Sequence, residues 1–111
     1  MRQTGITTMA LVLALGMAVG SGEARENHQQ EAVTHTQAAI QHGGMGHAGI
    51  LVQHAEAALK HAELAEKDKP SAHLQQGITQ LKAAIDEGKM DNAKVATDHA
   101  KQALEHLQKA P

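Results

Sequence analysis

The sequence predicts an all-α fold, an antiparallel four-helix bundle made of two tandem helical hairpins. Sliding the 111-residue chain on itself by 45 positions matches residues 28–65 to 73–110 at 15 of 38 places, the mark of a duplicated structural unit. Within each copy the apolar residues recur at helical spacing, and a short tip divides the copy in two: Gly43 and Met45 in the first, Gly88 and Met90 in the second. One amphipathic hairpin cannot bury its apolar stripe alone, whereas two can bury theirs against each other.

The elements follow in order. Residues 1–24 have the pattern of a secretory leader: Arg2 near the start, an apolar run from Met9 to Val19 that is too short to span a bilayer, then small residues, with cleavage expected after Gly20 or Ala24. Residues 25–111 then form the exported domain, expected as hairpins over 27–66 and 71–109. Asn27 followed three residues later by Gln30 resembles a capping box opening helix 1, which should run to about Gln41. Gly43 suits the left-handed residue that ends it. Helix 2 should run from near His47 to about Glu66, where Lys67-Asp68-Lys69-Pro70 breaks the pattern. Ser71 is placed to cap helix 3, Gly88 to close it and Asp91 to cap helix 4, which should end near Lys109.

In heptad notation Val33, Ile40, Val52, Leu59, Ile78, Ile85, Thr97 and Leu104 occupy position a, and Ala55, Ala62, Leu74, Leu81, Ala100 and Leu107 occupy d. The core is thus thin and alanine-rich, with marginal stability expected in the absence of a ligand. Position g is small almost throughout, Leu51 being the exception, which lets helices approach closely. The histidines sit at c, just outside g.

Composition excludes several classes of function. There is no cysteine, so disulfides, thiolate metal sites, thiol catalysis and Cys-x-x-Cys-His haem attachment are all absent. With no Phe, Tyr or Trp and a net charge of −2, the chain lacks both base-stacking surfaces and a basic footprint, and nucleic acid is not an expected partner. No nucleophile, acid/base pair or phosphate loop is apparent, so the protein reads as a non-enzyme with no organic cofactor. A monomer that leaves the membrane once the leader is cleaved is expected.

What remains is imidazole. His28, His35 and His42 are spaced by seven, as are His47, His54 and His61. Seven residues are two helical turns, so neighbours on one helix stand about 10.5 Å apart and cannot share an ion with bonds of about 2 Å. A shared site must recruit the second helix. Folding at the Gly-rich tip apposes His42 with His47, His35 with His54 and His28 with His61, a ladder of three rungs. Imidazole takes Cu, Ni, Zn or Co. Glu31, three residues after His28 and four before His35, can reach either rung. Met45, between His42 and His47, would suit Cu(I) as a thioether. Sites with two or three protein ligands imply several exchangeable ions rather than one structural metal. In the second hairpin His73 and His106 keep one rung, whereas Gln80, Glu87 and Asn92 stand where the first has His35, His42 and His47.

At His-Ala-Glu-Ala-Ala-Leu-Lys-His (54–61) and His-Ala-Lys-Gln-Ala-Leu-Glu-His (99–106) the chain resembles the bacterial small metal-binding protein family. The resemblance covers about residues 28–107. It implies a periplasmic protein binding several copper ions, Cu(II) or Cu(I), and other divalent metals such as Ni, Zn and Co, in copper homeostasis. It also implies His28, His35, His42, His47, His54, His61, His73, His99 and His106 as ligands. Two other classes make distinct demands: a helical interaction module needs an exposed apolar stripe, and a haem-binding bundle needs axial ligands in a deep apolar pocket.

Overall fold

The computed structural model describes residues 21–111, which form four helices: α1 (Ser21–Gly44), α2 (Ala48–Asp68), α3 (Ala72–Lys89) and α4 (Ala93–Lys109). Of the leader expected over residues 1–24, residues 1–20 lie outside the described residues. Each helix packs on its neighbours in sequence and α4 closes the ring on α1, while α2 and α4 touch across the diagonal. This is the antiparallel four-helix bundle of two hairpins. Among the described residues no helix is long and apolar enough to cross a membrane.

The seam of the bundle is rotated from the a/d stripe toward g. Ala32, Ala39, Leu51, Ala58, Ala65, Ala84, Ala96 and Ala103, all at g, are wholly buried, as are the d residues Ala55, Ala62, Leu74, Leu81, Ala100 and Leu107. Of the a residues, Ile85 and Thr97 are buried, whereas Val33, Val52, Leu59 and Ile78 are half-buried on the flank. A methyl group at g lets two backbones approach until g and d become the line of closest contact, and the bulkier a side chains are displaced outward. The c residues, one turn from g on the same face, are thereby drawn to the rim of each hairpin groove.

The first turn differs from expectation. Asn27 does not open the helix, because α1 is already helical from Ser21. Arg25 is buried and donates to the Pro111 carbonyl, and Gln29 Nε2 donates to the carbonyls of Leu107 (2.8 Å) and Ala110 (3.0 Å). These bonds satisfy carbonyls that the end of α4 leaves without helical partners, and they anchor the start of α1 at the same time.

The tips also differ. The left-handed residues are Gly46 (φ 79°) and Asp91 (φ 64°), not Gly43 and Gly88, which lie within their helices. His47 N donates to His42 O (2.9 Å) and Gly46 N to Gly43 O (3.0 Å), and 45 residues on Asn92 N donates to Glu87 O (2.9 Å) and Asp91 N to Gly88 O (3.0 Å). Both tips are the same helix-terminating motif, with its 6→1 and 5→2 bonds closed by a left-handed residue. Asp91 therefore does not cap α4. That position belongs to Asn92, whose side chain instead donates to Glu87 Oε1 (2.9 Å).

Gly43 and Gly88 are required for packing. A Cβ on Gly43 would lie 2.6 Å from Leu51 Cδ1 and against Thr97 Oγ1, and one on Gly88 would lie 2.5 Å from Val52 Cγ2. Ser71 caps α3 as expected, its Oγ accepting from Leu74 N (3.4 Å).

Candidate metal centre

The Ala-rich g edges of α1 and α2 bring the two c stripes face to face. His28 Nδ1 lies 3.0 Å from His61 Nδ1, and His35 Nδ1 lies 3.4 Å from His54 Nδ1. At the tip the rings of His42 and His47 stand 5.9 Å apart, a more open rung. His47 is exposed and the other five are half-buried. In the second hairpin His73 Nδ1 lies 3.3 Å from His106 Nδ1, and Gln80 Oε1 accepts from His99 Nδ1 at 2.8 Å. Every pairing expected from the spacing is present.

The rungs are not separate, however. Between them the rings of His35 and His61 stack at 5.9 Å and 6°, and those of His42 and His54 at 5.5 Å and 8°. The six imidazoles form an unbroken zigzag, 28–61–35–54–42–47. Sequence spacing identified the rungs but missed these diagonals, which depend on the axial stagger of α1 against α2. Glu31 Oε1 is 3.9 Å from His35 Nε2, and Glu31, His35 and His61 each offer a ligand atom within 4.8 Å of the others. Met45 is exposed at the tip.

Two ligand nitrogens bound to one ion at about 2.0–2.1 Å stand roughly 2.9–3.4 Å apart in square-planar or tetrahedral geometry. The Nδ1–Nδ1 separations of 3.0, 3.4 and 3.3 Å fall in that range. Two apposed Nδ1 atoms can share one proton or direct two lone pairs at a cation, but cannot both carry hydrogen. His42 Nδ1 is buried with no hydrogen-bond partner among the described residues, so in the tautomer that carries hydrogen on Nε2 its lone pair is free for a cation. The donor set and its spacing fit a metal ion.

Burial lowers the pKa of His54 below the ordinary 6.5, assisted by the neighbouring His35 and His42. Burial likewise lowers that of His61, with His28 next in effect and Glu31 opposing. Both imidazoles are thus held toward the neutral form that ligates metal. Above 6.5 these histidines are neutral in folded and unfolded chains alike. Below 6.5 the unfolded chain binds more protons than the folded one, so stability is lost as the pH is lowered. The melting temperature of the metal-free protein should therefore be flat from pH 8 to 7 and decline toward pH 5. A constant or rising melting temperature over that lower range would contradict these shifts.

A family model described as small metal-binding protein matches residues 1–110. The chain belongs to the small metal-binding protein family. Among curated proteins none matches it. Membership accounts for the occupied c stripe: the family is defined by metal binding, and the one chemistry that the c positions of the first hairpin concentrate is imidazole.

Proposed function

We propose that this protein is exported to the periplasm, where it holds several copper ions, and also Ni, Zn or Co, on the histidines of its two hairpin grooves, for storage, buffering or tolerance. The observation that carries the reading is the apposition of imidazole pairs across both hairpins at ligand–ligand distance. His28, His35, His42, His47, His54 and His61 serve the first groove, with Glu31 and Met45 as additional ligands. His73, His99 and His106 serve the second. Export rests on the leader pattern over residues 1–24. The histidines lie at the rim and not in a deep apolar pocket, which favours ions over haem. Among the described residues the large exposed apolar side chains other than Leu64 are Met45, Ile50, Met90 and Val95, at or beside the two tips, which is not the continuous stripe a helical adaptor would present.

Ions that bridge α1 and α2 bind the docked hairpin and not the unfolded chain, so they stabilise the fold. At about 100 times the dissociation constant, one site contributes roughly 2.7 kcal/mol, or on the order of 10 to 20 °C for a domain of this size. Melting followed by circular dichroism should show that rise with Cu(II) and its reversal by chelator. Superimposable curves with and without copper would reject the proposal.

A further inference from the structure

We infer that the first divalent ion bound is held across two rungs, by Glu31, His35 and His61, and that it fills at the expense of the rungs on either side. The inference rests on the metal-binding function proposed above and concerns the order in which the first groove loads.

A rung by itself offers two imidazoles. The Glu31, His35 and His61 group is the set of three such ligands that the described residues bring within 4.8 Å. Glu31 and His35 are one turn apart on α1 and His61 comes from α2, so an ion there ties the two helices together with three protein bonds, one of them anionic. A carboxylate is a hard donor and directs the site to divalent ions over Cu(I).

The cost to the neighbours follows from the chemistry of imidazole. A neutral ring has one lone pair available, because its other nitrogen carries hydrogen. Yet His61 Nδ1 also faces His28 at 3.0 Å and His35 Nδ1 also faces His54 at 3.4 Å. Once His35 and His61 are committed to the cross-rung ion, His28 has lost its rung partner, and His54 is left with the ring of His42 stacked on it. The groove thus has two registers that compete for the same rings, and the second ion binds more weakly than the first.

The second hairpin provides an internal comparison. Its rung His73–His106 repeats His28–His61 in geometry, at 3.3 Å against 3.0 Å. The residues 45 positions after Glu31 and His35 are Gln76 and Gln80, and Gln80 is engaged by His99. One molecule therefore carries the same rung with and without the cross-rung ligands.

The test is stepwise Cu(II) loading of the metal-free protein, followed by native mass spectrometry with a competing chelator. Glu31 is exposed, so Glu31→Gln should leave folding intact; it is expected to weaken the first step tenfold or more without weakening the later ones, because the rungs His28–His61 and His35–His54 are then free to fill. The double change Gln76→Glu with Gln80→His should add a second step as tight as the first. An unchanged first step in Glu31→Gln, or no new tight step in the double variant, overturns the cross-rung site while leaving the broader function intact. Failure of the unmodified protein to take up Cu(II) at all would overturn both.

Discussion

Gly43→Ala is expected to lower the melting temperature of the metal-free protein by on the order of 10 °C, and Gly44→Ala, one residue on, to raise it by a few degrees. The two glycines share the last turn of α1 and differ in what a methyl group would meet. At Gly43 the new Cβ would lie 2.6 Å from Leu51 Cδ1 and against the Thr97 hydroxyl, itself held by a bond to Ala93 O at 2.6 Å. Leu51 is wholly buried and has little room to withdraw. Overpacking of this kind costs roughly 1–3 kcal/mol, and each kcal/mol is worth about 4–8 °C in a domain of under 100 residues. At Gly44 nothing lies within 4 Å of the added Cβ, so alanine only restricts the unfolded chain and improves helix propensity, by about 0.4–1 kcal/mol. Thermal melts of the two variants side by side test this directly: equal shifts, or a stable Gly43→Ala protein, would mean that α1 does not meet α4 as closely as described.

His35→Gln is expected to be strongly non-additive with both His54→Gln and His61→Gln, whereas His28→Gln and His47→Gln should act independently. The readout is the stabilisation gained at a fixed excess of Cu(II), which sums over all sites. His35 faces His54 across its rung and stacks on His61 along the diagonal, so removing it disables contacts that either second change would otherwise remove. Interaction energies of about 1–3 kcal/mol are expected for such pairs. His28 and His47 sit at opposite ends of the zigzag and share no neighbour, so their effects should add within about 0.5 kcal/mol. Coupling between His54 and His61, seven apart on α2, without coupling of either to His35 would show that ions are held along single helices and not between them.

Much of the molecule was legible in the sequence because helical periodicity is local. A step of seven fixes which residues share a helix face, and a Gly-rich break between two such stretches fixes which residues meet when the chain doubles back. The pairs His28–His61, His35–His54 and His73–His106 needed no more than that. The tips were harder to read. Gly43 and Gly88 recur at equivalent places in the two repeats, which a sequence can equally attribute to a left-handed turn or to close packing; the turn falls three residues later, at Gly46 and Asp91, and the glycines serve contact with Leu51, Thr97 and Val52.

By itself, then, the sequence determined the four helices, their grouping into two hairpins and the apposition of imidazoles across each, since all of these depend on spacing along one helix or across one short loop. Only the tertiary structure decided three further features. The seam moved from a/d to g/d because close approach over alanine is a property of two facing surfaces. The start of α1 was anchored by Arg25 and Gln29 on the end of α4, a contact between residues more than 75 positions apart. The rungs merged into a zigzag around His35 because the axial stagger of two packed helices, which no single-helix pattern encodes, sets whether an imidazole meets one partner or two.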